Sequence, residues 1–96
     1  MAALWIDRYD ANDDGVVGIR LEGELAGAAV TLLEEECRLL LATTYALVID
    51  LAGLTYVSPT GLGILAGLEA LGVGLRNGSP LLQDLLHDVR QGPVRS

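Results

Sequence analysis

Apolar and polar residues alternate near the start of the chain, a pattern that predicts a β-hairpin. Val17, Ile19 and Leu21 alternate with glycine, arginine and glutamate, as in a half-buried strand. Leu4–Tyr9 also mixes apolar and polar residues and is predicted as the preceding strand. Asn12–Gly15 separates them and ends in Asp-Gly, which favours the positive dihedral angles of a hairpin turn. The chain is therefore predicted to begin with two antiparallel strands.

The turn also resembles the first half of a calcium-binding loop. Asp10, Asn12 and Asp14 occupy the first, third and fifth places, and Gly15 the sixth. The twelfth place, which must supply a bidentate carboxylate, holds Leu21. Since the flanking residues also alternate like strands, we predict an acidic hairpin turn and no metal site.

A helix is predicted from about Ala26 to Leu41, with solvated Glu34, Glu35 and Arg38. Its apolar residues recur at helical spacing and form the predicted buried face: Val30, Leu33, Cys37, Leu40 and Leu41. Cys37 lies on this face, with no histidine or second cysteine near it in sequence. We therefore predict an inert core thiol.

Residues 46–67 predict a buried strand, a short connection and a second helix. Val48, Ile49 and Leu51 form the apolar run of a strand that is covered on both faces. Ser58 suits the N-cap and Pro59 the first helical position, where its missing N–H costs nothing. Because a helix N-terminus carries partial positive charge, it can receive an anion. The function is predicted to reside here.

The remaining residues predict a short strand and a third helix. Val73–Arg76 is the strand, and Asn77-Gly78 is a turn. Ser79 and Pro80 repeat the cap and the proline of the second helix. The apolar stripe of the third helix is predicted to be Leu81, Leu82, Leu85, Leu86 and Val89. His87 is predicted on the surface, and residues 91–96 as a loose tail.

Composition narrows the class of protein. The 96 residues suit a single domain spanning 1–96, and 51% hydrophobic residues indicate a folded chain. A net charge of −7 disfavours nucleic acid and anionic lipid as partners. No apolar run is long enough for a membrane helix, and Met1–Trp5 has no basic start, so no secretion signal is predicted. We expect a soluble cytoplasmic protein without direct membrane insertion.

The sequence contains no recognisable catalytic motif. No metal-ligand cluster, nucleophile elbow or phosphate-binding lysine loop is present. Gly61, Gly63 and Gly67 follow a strand, but their spacing is one residue too long for a dinucleotide-binding loop. We predict instead that these glycines let the helix pack closely on its neighbours. Neither an enzyme nor a cofactor is expected.

The order of elements, with Leu47–Leu51 before the connection and Gly61-Leu62-Gly63 opening the helix, resembles a known family. It is similar to the STAS domain, named for sulfate transporters and anti-sigma factor antagonists. Further matching stretches are Arg20–Leu25 and Tyr56–Leu65. The resemblance implies an α/β fold: a small mixed sheet of about four strands, with about three helices packed mainly on one face.

The resemblance also implies a role in partner switching. In bacterial antagonists of this family, the unmodified domain binds an anti-sigma factor that is also a serine kinase. Phosphorylation at the start of the second helix breaks this binding. A phosphate adds about 1.5–2 negative charges to a docking surface. Because a helix N-terminus tolerates that charge, the interface can switch without unfolding of the domain.

This sequence departs from the family at the acceptor position. The antagonists usually carry Asp-Ser-Ser-Gly or Asp-Ser-Thr-Gly there, and the first serine accepts the phosphate. Alignment on Gly61 puts Ser58 at the aspartate, Pro59 at the acceptor and Thr60 at the second hydroxyl. Pro59 cannot be phosphorylated. Ser58 and Thr60 therefore each remain open to two interpretations, helix capping alone or a relocated phosphate acceptor.

Two hypotheses follow for the function. The first is an anti-sigma factor antagonist-like binding module that docks the kinase through Ser58, Thr60 and a surface formed by Pro59, Gly61, Leu62 and Gly63. The second is a scaffold that is not phosphorylated, within a stress-signalling complex or a lipid or anion transport assembly. Homo-oligomers are compatible with both hypotheses. An enzyme or a nucleotide binder would need a pocket of convergent polar groups that the sequence does not indicate.

Overall fold

The residues that the structure describes form four strands and three helices in the predicted order. The computed structural model describes residues 3–10, 15–43 and 46–91. The elements are β1 (Leu4–Asp10), β2 (Val16–Leu25), α1 (Ala28–Leu41), β3 (Ala46–Val57), α2 (Pro59–Ala70), β4 (Gly74–Arg76) and α3 (Pro80–Gln91).

The strands form one mixed sheet in the order β1-β2-β3-β4. β1 and β2 pair antiparallel, as the alternation predicted, while β2, β3 and β4 pair parallel. The two parallel pairs require crossovers, which α1 and α2 supply. The predicted α/β fold of about four strands and three helices is confirmed.

A single hydrophobic core holds the helices against one face of the sheet. The strands contribute alternate residues, among them Ile19, Leu21, Leu47 and Ile49. Each helix adds a stripe to the same core: Val30, Leu33, Cys37 and Leu40 from α1, Leu62, Leu65 and Leu68 from α2, and Leu82 and Leu86 from α3. The described residues bury no polar or charged side chain. Apolar burial is therefore the main force that assembles the domain.

The other face of the sheet is covered by its own side chains. The ring of Tyr9 lies over Gly18, so closely that a Cβ at Gly18 would collide with it. Asp7, Arg20, Asp50 and Arg76 are neighbours in register across all four strands and alternate in charge. The Arg20 guanidinium lies 3.9 Å from the Asp50 carboxylate and 5.3 Å from the centre of the Tyr9 ring. This face therefore carries polar cross-strand pairs rather than a second layer of helices.

The end of β3 and the start of α1 differ from the prediction. β3 continues to Val57, so the predicted connection after Leu51 is wrong; β2 remains paired with β3 as far as Leu25 and extends the strand. The start of α1 at Ala26 is also wrong by two residues. Gly27 has a φ of 60°, which ends the extended segment in a turn before Ala28.

The predicted stripe of α3 is only partly buried. Leu82 and Leu86 belong to the core, whereas Leu81, Leu85 and Val89 are exposed. α3 packs mainly against α2, and the neighbouring strand β4 is only three residues long. The helix therefore buries only part of its predicted apolar stripe.

Some predictions concern residues outside the described ranges. The turn Asn12–Gly15, with the calcium positions Asn12 and Asp14, lies there except for Gly15, which has a φ of 82°. The predicted tail also lies there beyond Gln91. Among the helices that are described, none combines the length and the apolar character needed to cross a membrane.

Leu65 in α2 and Leu71 just after it provide a direct test of the one-sided core. Leu65 is fully buried, whereas Leu71, just after the helix, is 71% exposed. We expect Leu65→Ala to lower the free energy of unfolding by ~3 kcal/mol, because it leaves a cavity. The control Leu71→Ala should change it by less than about 0.5 kcal/mol. Urea unfolding followed by circular dichroism measures both, and equal losses would contradict the position of Leu65 in the core.

Candidate functional site

Ser58 joins β3 to α2 and uses three of its polar groups to do so. Its backbone N–H donates to the Leu25 carbonyl oxygen at 2.9 Å. Its Oγ accepts from the Gly61 N–H at 3.0 Å, and its carbonyl oxygen accepts from the Leu62 N–H at 2.9 Å. The predicted N-cap is confirmed. The start of α2 is therefore fixed to the end of β2.

Pro59 and Thr60 form the exposed beginning of α2. Pro59 occupies the start of the helix, as predicted, where the fixed φ of proline suits helical geometry. The side chain of Ser58 is partly buried and engaged in the cap, whereas Thr60 is exposed. The two candidate hydroxyls therefore differ: Ser58 serves the fold, and Thr60 faces solvent.

Gly61 and Leu62 do not lie on the surface, although they were predicted to belong to it. Both are buried, and Leu62 is part of the core. A Cβ built on Gly61 would stand 2.8 Å from the Leu25 carbonyl oxygen. These residues hold α2 against β2, so only Pro59, Thr60 and Gly63 are exposed at the start of the helix.

The predicted close packing of the α2 glycines is right for Gly61 and wrong for Gly63 and Gly67. A Cβ on either of the latter two would meet no atom within 4 Å. They lie instead in a groove of about 310 Å³ between α1 and α2. Leu41, Ile64, Leu68 and Leu71 provide its apolar lining. An ion pair of 3.3 Å between Arg38 and Glu34 borders it.

A second apolar region lies where the end of β3 meets α3. It holds a groove of about 240 Å³, lined by Leu54–Val57, Ser79, Leu81, Leu82 and Leu85. The apolar stripe of α3 was predicted, but not that part of it would line an exposed groove. The signal in the sequence is that five of the twelve residues of α3 are apolar.

Metal ligands and the single cysteine are the reactive groups that the described residues allow to be assessed. No three histidine, cysteine, aspartate or glutamate side chains among them are placed to share a metal ion. Cys37 is fully buried, and burial, assisted by the nearby charge of Glu36, raises its pKa from 9.0 to about 11. Such a thiol stays protonated at neutral pH and is a poor nucleophile. The features left to consider are the exposed start of α2 and the two apolar grooves.

The comparison with known families decides the identity of the fold. A family model described as "Mlab, STAS domain" matches residues 9–90. The chain belongs to the STAS domain family.

Two solved structures resemble this STAS domain. The crystal structure of an anti-sigma factor antagonist from Mycobacterium paratuberculosis is 25% identical with a TM-score of 0.74, covering 91% of this chain and 78% of the other. The unphosphorylated form of the anti-sigma factor antagonist SpoIIAA is 22% identical with a TM-score of 0.64, covering 88% and 82%. The second likeness shows the fold alone. None of the curated proteins compared with the chain matches it.

Gly61 and Gly63 of the STAS domain should respond in opposite ways to alanine. Gly61→Ala would press a methyl group against the Leu25 carbonyl, so we expect a loss of about 1–3 kcal/mol in the free energy of unfolding. Gly63→Ala meets open space and gains helix propensity, so we expect a gain of ~0.8 kcal/mol. Chemical denaturation measures both. A stabilised Gly61→Ala variant would contradict the close contact with β2.

The buried thiol predicts how stability depends on pH. Folding raises the pKa of Cys37 to about 11, so the folded state holds this proton more tightly than the unfolded chain. The resulting stabilisation is complete below pH 9 and is lost as the pH rises towards about 11. We expect the free energy of unfolding to fall more steeply over this range in wild type than in Cys37→Ala. Parallel curves would contradict the prediction.

Proposed function

We propose that this STAS domain is a non-enzymatic regulatory module that binds an anti-sigma factor with serine kinase activity in the cytoplasm. Family membership and the likeness to an anti-sigma factor antagonist at 25% identity support this role. The observation that carries it is the start of α2, where an exposed turn is held rigidly by the contacts of Ser58 and Gly61 with Leu25.

The proposed docking surface consists of Pro59, Thr60 and Gly63. All three are exposed and none is charged. The backbone beneath them is fixed by the cap, so little conformational entropy is lost when a partner binds. A preorganised, uncharged turn of this kind suits contact with a protein surface.

We propose Thr60 as the phosphate acceptor if the domain is switched. The Ser58 hydroxyl already accepts the Gly61 N–H, and a phosphate there would remove a cap worth about 1 kcal/mol. Thr60, in contrast, is not the cap of the helix, and its side chain is exposed. A phosphate on it would lie in the favourable field of the helix N-terminus and add charge to the surface that the partner contacts.

The second candidate function is a scaffold that phosphate does not switch. The observation that favours it is Pro59, which stands at the family's usual acceptor position and has no hydroxyl. In this case the same surface would bind its partner permanently, in a stress-signalling complex or a lipid or anion transport assembly.

Binding to candidate anti-sigma factors, measured by titration calorimetry, tests the docking surface. We expect Thr60→Asp to weaken binding about tenfold, because it desolvates a charge in the interface. Thr31→Asp is the matched control: Thr31 is also exposed in the early part of a helix, α1, and should leave affinity unchanged. The proposal would be contradicted if the folded protein bound no candidate, or if the two variants lost equal affinity.

Mass spectrometry after incubation with a binding kinase and ATP distinguishes the switch from the scaffold. A phosphate present in wild type and in Ser58→Ala but absent from Thr60→Ala would place the switch at Thr60. Binding without any phosphate would support the scaffold.

A further inference from the structure

Helix α3 and the end of β3 expose an apolar surface that the fold does not use. Leu81, Leu85 and Val89 follow one another at intervals of four residues and so lie on one side of α3. Leu81 is 68% exposed, and Tyr56 on β3 is 51% exposed. We call Tyr56, Leu81, Leu85 and Val89 the α3 patch.

The α3 patch lies beside the end of β3, where β4 no longer pairs. β4 pairs with Val48–Asp50 only, so the described structure places no strand beside Leu54–Val57 on that side of β3. Leu81, Leu82 and Leu85 border the resulting groove of about 240 Å³, and Leu82 reaches the core beneath it. Val57, which lines the groove, directly precedes Ser58 in the chain.

The rim of the patch is acidic. Asp84 and Asp88 are exposed on α3, each three residues after a leucine of the patch. Like charges four residues apart on a helix repel one another and cost stability. Glu24 is the register partner of Tyr56 on the neighbouring strand. Cationic groups placed beside these carboxylates would relieve the repulsion.

We propose that the α3 patch binds a basic, apolar segment of the partner protein. Apolar side chains of that segment enter the groove, and its lysines or arginines lie beside Asp84 and Asp88. A second copy of the chain is disfavoured, since each copy carries a charge of −7 and would bring the same carboxylates together. The identity of the partner rests on the proposed function, which the patch extends beyond the start of α2.

The experiment uses a synthetic amphipathic peptide of leucine and lysine, about 15 residues long. It is titrated into the isotopically labelled chain and followed by nuclear magnetic resonance. We expect shifts in the amide signals of Tyr56, Leu81 and Leu85, with weaker binding at high salt. The same peptide with glutamate in place of lysine should not bind. Equal binding of both peptides, or shifts outside the patch, would overturn the proposal.

Two leucines of equal exposure provide the variant pair. Leu81→Ser should weaken peptide binding about tenfold, because truncation of an anchor residue removes apolar burial. Leu39→Ser changes a leucine on α1 that is also 68% exposed, and should leave binding unchanged. Equal effects, or self-association through the patch in the absence of peptide, would overturn the proposal.

Thr60→Asp and Leu81→Ser separate this inference from the proposed function when both are tested against an anti-sigma factor. Loss of binding with Thr60→Asp but not with Leu81→Ser leaves the proposed function standing and overturns the role of the patch. Binding of the peptide at the patch by a chain that binds no anti-sigma factor supports the chemistry of the patch while the proposed function fails.

Discussion

The contact between the end of β2 and the start of α2 determines how this STAS domain presents its surface. The Leu25 carbonyl oxygen accepts the Ser58 N–H, and Gly61 approaches the same oxygen so closely that no side chain fits between them. The contact aligns the parallel strands β2 and β3 to their ends and directs α2 across the core. Because backbone atoms make it, its geometry is rigid and depends on glycine at one position only.

This contact gives the two hydroxyl groups at the start of α2 different environments. Ser58 satisfies the helix and is partly buried, while Thr60 is left in solvent beside a proline that accepts no phosphate. Two further surfaces remain exposed: the groove at Gly63 and Gly67, and the apolar side of α3. These uncharged and apolar surfaces are the ones on which the proposed binding role rests.

Local pattern was sufficient for most of the architecture. The alternation of Val17, Ile19 and Leu21 predicted β2, and the stripe through Leu33 and Cys37 predicted the buried face of α1. Ser58 and Pro59 predicted the start of α2 to the residue, because capping depends on groups only three residues apart. These features follow from interactions between near neighbours, so the sequence by itself determined them and, through its motifs, the family.

The tertiary structure decided which apolar residues are buried and which glycines are closely packed. Gly61 and Gly63 are both glycines at the start of α2, and the sequence does not distinguish their roles. Gly61 packs closely on the Leu25 carbonyl, whereas Gly63 faces open space. Leu81 and Leu82 are adjacent in the predicted stripe of α3, yet only Leu82 is in the core, where α3 packs against α2. Contacts of this kind depend on the length and register of distant strands. The periodicity of one helix does not specify these long-range contacts. Which of its apolar residues are buried is therefore known only from the tertiary structure.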